Sequence, residues 1–116
     1  MTHPATYPIG TPGQPWTPAD VAEWRSRQVR QRSHGHDVVD AIDRLRAGFD
    51  VVPYGELAYA DGHYPLLALR SHGWQPGLPT VLVTGGVHGY ETSGVHGALR
   101  FVEQHAQAYA GRANLL

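Results

Sequence analysis

The chain has 116 residues, no Cys and a formal net charge of −1, with 41% hydrophobic and 16% charged residues. That length supports one small core. The composition excludes a disulfide scaffold, a thiolate metal site and a cysteine nucleophile, and the charge argues against a dedicated nucleic-acid binder. No apolar run reaches the roughly 18 residues of a membrane span, and Met1 to Pro18 lacks the apolar region of a secretory signal. A cytoplasmic protein is the expectation.

Residues 1–17 are expected to form an extended arm. Pro4, Pro8, Pro12 and Pro15, with Gly10 and Gly13, interrupt helix and sheet ladders alike. His3 falls in this arm.

Residues 18–48 read as a helical segment. Thr17 is placed to cap a first helix, with Pro18 at its first position and Asp20 in its first turn. Val21, Trp24 and Val29 give it a thin apolar stripe to about Ser33. Arg25, Arg27, Arg30 and Arg32 are a conceivable phosphate grip, but they spread around the helix beside Asp20 and Glu23 and read as a solvated face. His34-Gly35-His36 breaks that helix. Asp37 is expected to cap a second, short one, burying Val38, Val39, Ile42 and Leu45, with Gly48 at its exit.

From residue 51 the period becomes strand-like. Val51, Val52, Tyr54, Leu57 and Tyr59 predict one strand, Asp61-Gly62 a turn, and Leu66 to Ser71 a returning strand. After a Gly/Pro loop, Thr80 to Thr84 is a continuous apolar run with β-branched residues. Such a run predicts a central strand covered on both faces. A helix is expected from Thr92 or Ser93 to Tyr109, with Val95, Leu99, Val102 and Ala106 inward. Asn114-Leu115-Leu116 opens a further strand. The fold class is therefore α/β: a hairpin, a central strand and a helix, preceded by a helical segment.

The stretch Gly85 to Glu91 carries the chemistry. It follows the carboxyl end of the expected central strand, where open α/β sheets build their sites. His88 and Glu91, three apart in a turn entering a helix, can bring an imidazole and a carboxylate onto one cation, and both are normal ligands of catalytic Zn²⁺. Gly85, Gly86 and Gly89 allow tight backbone and leave room beside them. A Gly-rich turn at a helix N-terminus also suits phosphate. The chain has no Lys, however, and no P-loop pattern.

The segment Val83-Thr84-Gly85-Gly86-Val87-His88-Gly89-Tyr90-Glu91-Thr92-Ser93-Gly94 resembles the zinc-binding segment of the zinc metallocarboxypeptidase superfamily, which includes the succinylglutamate desuccinylase and aspartoacylase branch. The likeness covers about residues 51–116, and its wording looks most like bacterial carboxypeptidase-type members. It implies a mixed-sheet α/β/α hydrolase fold, with His88 and Glu91 as the first two ligands of a zinc ion. The implied substrate is a peptide C-terminus or an N-acyl amino acid.

The family's third His ligand, its substrate-binding Arg residues and its general-base Glu would fall after residue 116. The resemblance therefore implies an N-terminal part of the enzyme, inactive alone, with no catalytic residue of its own. His34, His36, His63, His72, His96 and His105 read as surface or half-buried histidines and not as the third ligand. A truncated sheet would also leave an edge open to self-association.

Overall fold

A computed structural model describes residues 8–116. His3 and the first part of the expected arm lie outside the described residues. The chain divides into two compact units, residues 1–31 and 32–116.

The first unit holds helix α1 (Pro18–Ser26). Its start follows from a reciprocal cap. The Asp20 N–H donates to Thr17 Oγ1 at 3.3 Å, and the Thr17 N–H donates to the Asp20 carboxylate at 2.7 Å. The helix ends at Ser26 instead of continuing to Ser33. Side chains there take up its last carbonyls: Ser26 Oγ donates to Glu23 O at 2.7 Å and Gln28 Nε2 to Trp24 O at 3.0 Å. Val29 consequently lies beyond the helix and is exposed, as is Trp24. Arg25, Arg27, Arg30 and Arg32 are exposed, and Arg27 pairs with Glu23.

The second unit opens with a π-helical turn (Gly35–Val39) running into the short helix α2 (Asp40–Asp43). Asp37 does not cap this helix from outside. It sits within the π turn and reaches back, accepting a 2.9 Å hydrogen bond from the Ser33 N–H. Ile42 is buried; Val38, Val39 and Leu45 are half-buried. The Gly48 N–H closes the exit onto Leu45 O at 3.0 Å.

Strand β1 (Phe49–Tyr59) pairs antiparallel with β2 (Gly62–Ser71). The hairpin is longer than the hydrophobic pattern indicated, because β2 starts at Gly62 and not at Leu66. Tyr59 faces Gly62, so Ala60 and Asp61 form a two-residue loop. The register shifts between Pro53 and Gly55. Pro53 cannot donate to a ladder, and a bulge beside it lets the strand continue.

Strand β3 (Thr80–Val81), helix α3 (Thr92–Gln104), a 3₁₀ turn (Ala106–Tyr109) and strand β4 (Asn114–Leu115) complete the unit. β3 and β4 are parallel neighbours. The pairing continues through Leu116 N–H to Val81 O at 3.0 Å and Val83 N–H to Leu116 O at 2.8 Å. The strands and α3 thus make one β-α-β unit. The helix stops at Gln104, short of Tyr109, because its last turn tightens to 3₁₀ after His105 (φ −125°).

The architecture is mixed α/β, but the sheet is split. An antiparallel hairpin and a parallel pair stand as separate ladders, joined where the Leu115 N–H donates to Ser71 Oγ at 3.0 Å. Phe49, Ala106 and Leu115 form the buried core, flanked by Leu45, Leu69, Phe101, Val102 and Ala113. The expectation that Thr80 to Thr84 is covered on both faces is corrected. Val81, Leu82 and Val83 are exposed, Leu82 by 66%. The reason is that Leu82 and Val83 line an open apolar groove with Val52, Leu67 and Leu99, and among the described residues β3 has one paired neighbour.

The caps set an acid limit. The Asp20 carboxyl is held below its ordinary range by the Thr17 hydroxyl and then the Thr17 N–H. The Asp37 carboxyl is lowered mainly by the Ser33 N–H, with help from nearby Arg32, His36 and His96. A carboxyl lowered in the folded state stabilises above its unfolded pKa and loses that contribution as pH falls through its folded one. Both turns should therefore loosen below about pH 4, the ordinary range of Asp. Amide exchange of residues 18–26 and 33–40 across pH 2–6 (about the range that brackets that value) checks this. In Asp20→Asn the acid step in α1 should vanish while the step near Asp37 stays.

Candidate metal centre

The site forms where β3 hands over to α3. Gly85 and Gly86 make the handover tight. A Cβ on Gly85 would stand 2.6 Å from Ala98 Cβ and 2.6 Å from the Gly94 carbonyl oxygen. One on Gly86 would meet Val95 Cγ2 at 2.7 Å, and Gly86 has φ +80°. These glycines let the outgoing strand lie directly on the first turns of α3.

The following residues turn on themselves. The Glu91 N–H donates to His88 O at 3.1 Å, and the Gly94 N–H to Glu91 O at 3.1 Å. A turn closed from residue i to i+3 places the two end residues side by side. His88 and Glu91 are those ends. Their side chains meet, with His88 Nδ1 3.3 Å from Glu91 Oε2. Glu91 is also the N-cap residue of α3, yet its carboxylate makes no capping bond to the helix. It is directed to His88 instead.

Both side chains are more than half exposed, at 58% and 57%. An exposed ion pair of this kind adds little stability. The spacing does fit a metal. Two donors each about 2.1 Å from a tetrahedral zinc lie about 3.4 Å apart. The 3.3 Å separation of His88 Nδ1 and Glu91 Oε2 is compatible with that geometry. Among the described residues no group of three potential ligands comes together.

Most of the remaining described histidines have partners elsewhere. His34 Nε2 donates to Pro65 O at 3.0 Å. His63 bonds Glu56 at 2.7 Å across the hairpin, and His72 lies 3.3 Å from Asp50. His36 lies 3.9 Å from Asp37, which also feels the charge of His96. His105 packs against the Phe101 ring.

No family model matches the chain, and no curated protein matches it.

Two features escaped the sequence pattern. Tyr90 is 85% exposed, and its ring centroid is 6.2 Å from that of His88, so it flanks the imidazole on the open side. Its place inside the motif was the available signal. Asn114 was expected only as the first residue of a strand. It is 2% exposed, and its side chain clasps the preceding loop. It accepts from the Gln75 N–H at 2.9 Å and donates to Gln75 O at 2.8 Å. Nothing in local sequence predicts a bond spanning 39 residues.

The three glycines of the turn separate by role. Gly85→Ala should destabilise by about 1–3 kcal/mol or more, since backbone at Gly94 must shift to admit the methyl group. A Cβ on Gly89 would meet nothing within 4 Å. Gly89→Ala should therefore change stability by less than about 0.5 kcal/mol. Urea unfolding of both variants against the parent chain checks the ordering.

Proposed function

We propose that the chain carries two ligands of a catalytic zinc ion, His88 and Glu91, in a metallocarboxypeptidase-like hydrolase. The observation that carries this reading is the 3.3 Å approach of His88 Nδ1 to Glu91 Oε2 at the strand-to-helix turn. It is the donor spacing of a tetrahedral centre, at the position where α/β folds place their chemistry. The sequence likeness over residues 83–94 supports a metallocarboxypeptidase-like reading. On this reading the domain is the N-terminal portion of an α/β/α zinc hydrolase. The substrate is a C-terminal peptide bond, or the acyl bond of an N-acyl amino acid in the related branch.

When bound, zinc supplies Lewis acidity toward a carbonyl and acidifies a coordinated water. The chain's own residues prepare that centre. Glu91, held at the head of α3 by the turn, contributes a negative charge, which raises affinity for a dication. His88 contributes a neutral nitrogen donor. Tyr90 walls one side of the imidazole, and the open flank at Gly89 leaves access for a ligand. The residues that would complete the metal shell and move the proton are not among those described.

Zinc titration of the full chain, followed by the His88 and Tyr90 ring signals in NMR, tests the assignment. Weak binding is expected, with shifts centred on these two rings. His88→Ala or Glu91→Gln should each weaken it by about tenfold or more, the cost of losing one of two donors. His105→Ala should leave it unchanged. Equal binding in all four proteins would overturn the assignment.

A second reading rests on a separate observation, the open edge of β3. The Leu82 N–H and C=O point away from β4 and have no backbone partner among the described residues, and the Leu82 side chain is exposed. Such an edge is a template for another strand. We propose that this edge pairs with its counterpart on a second copy. Sedimentation over a wide dilution series should then show a concentration-dependent dimer, and Leu82→Pro should return it to monomer. A parent chain that stays monomeric throughout removes this reading and leaves the zinc reading standing.

A further inference from the structure

We draw no further inference here: the strongest candidate, the open apolar groove of about 670 Å³ between the β1–β2 hairpin and α3, lined by Val52, Leu67, Leu69, Val95 and Leu99, carries nothing because nothing in the structure shows what covers it.

Discussion

The close contact between the Gly85–Gly86 turn and the first turns of α3 is the constraint on which the site depends. With only hydrogen on Gly85, the strand end rests on Gly94 and Ala98 without a spacer. The strand end is thereby anchored close to the start of the helix. The chain must reverse within Val87 to Glu91, and the hydrogen bond from Glu91 N–H to His88 O is how it does so. The spacing of the His88 and Glu91 side chains thus follows from backbone packing some residues earlier. That order of causes matters energetically, because an exposed imidazole–carboxylate pair would not hold its own geometry.

The other end of α3 is fixed differently. The helix returns through a 3₁₀ turn to β4, and the parallel ladder with β3 closes the loop of structure. Two short strands supply few hydrogen bonds, so side chains supplement them. Asn114 ties β4 to the loop before β3, and Ser71 ties β4 to the hairpin. Buried amide groups are costly unless fully partnered, and Asn114 meets that condition on both its oxygen and its nitrogen. Ala106 and Leu115 then close over Phe49 to form the core. The hairpin, the helix and the parallel pair meet at this one place.

Legibility from sequence followed the range of the forces involved. The cap at Thr17 and Asp20, the existence of the hairpin and of α3, and the strand at Asn114 are local patterns that the residues indicate, but the hairpin turns at Ala60-Asp61, with Gly62 already in β2, and α3 ends at Gln104. The end of α1 was misjudged, because Ser26 and Gln28 act through side-chain bonds to carbonyls that apolar periodicity does not register. The covering of Thr80 to Thr84 was misjudged for a different reason. A β-branched run reports what a strand needs, while its actual exposure depends on which elements arrive beside it. Val81, Leu82 and Val83 have the composition of a central strand and the environment of an edge. For the site, the pairing of His88 with Glu91 was legible from their spacing, whereas the packing role of Gly85 required knowing that Ala98 and Gly94 lie against it.

Four histidine–carboxylate pairs occur among the described residues of the second unit, and distance alone does not single out His88–Glu91, because His72–Asp50 has the same 3.3 Å separation. His63 and Glu56 lie on opposite strands of the hairpin and bond directly at 2.7 Å, closer than two ligands of one tetrahedral zinc would stand. His72 and Asp50 match the 3.3 Å spacing, but they flank the outer end of the hairpin ladder, away from any strand-to-helix handover. Only His88 and Glu91 combine that spacing with a tight turn at a strand's carboxyl end and a helix N-terminus beside it. The partial positive charge of a helix N-terminus stabilises the Glu91 carboxylate. It also opposes a cation placed directly on the helix axis. On the proposed zinc reading, His88 and Glu91 would hold the ion together, and their 3.3 Å approach would suit it.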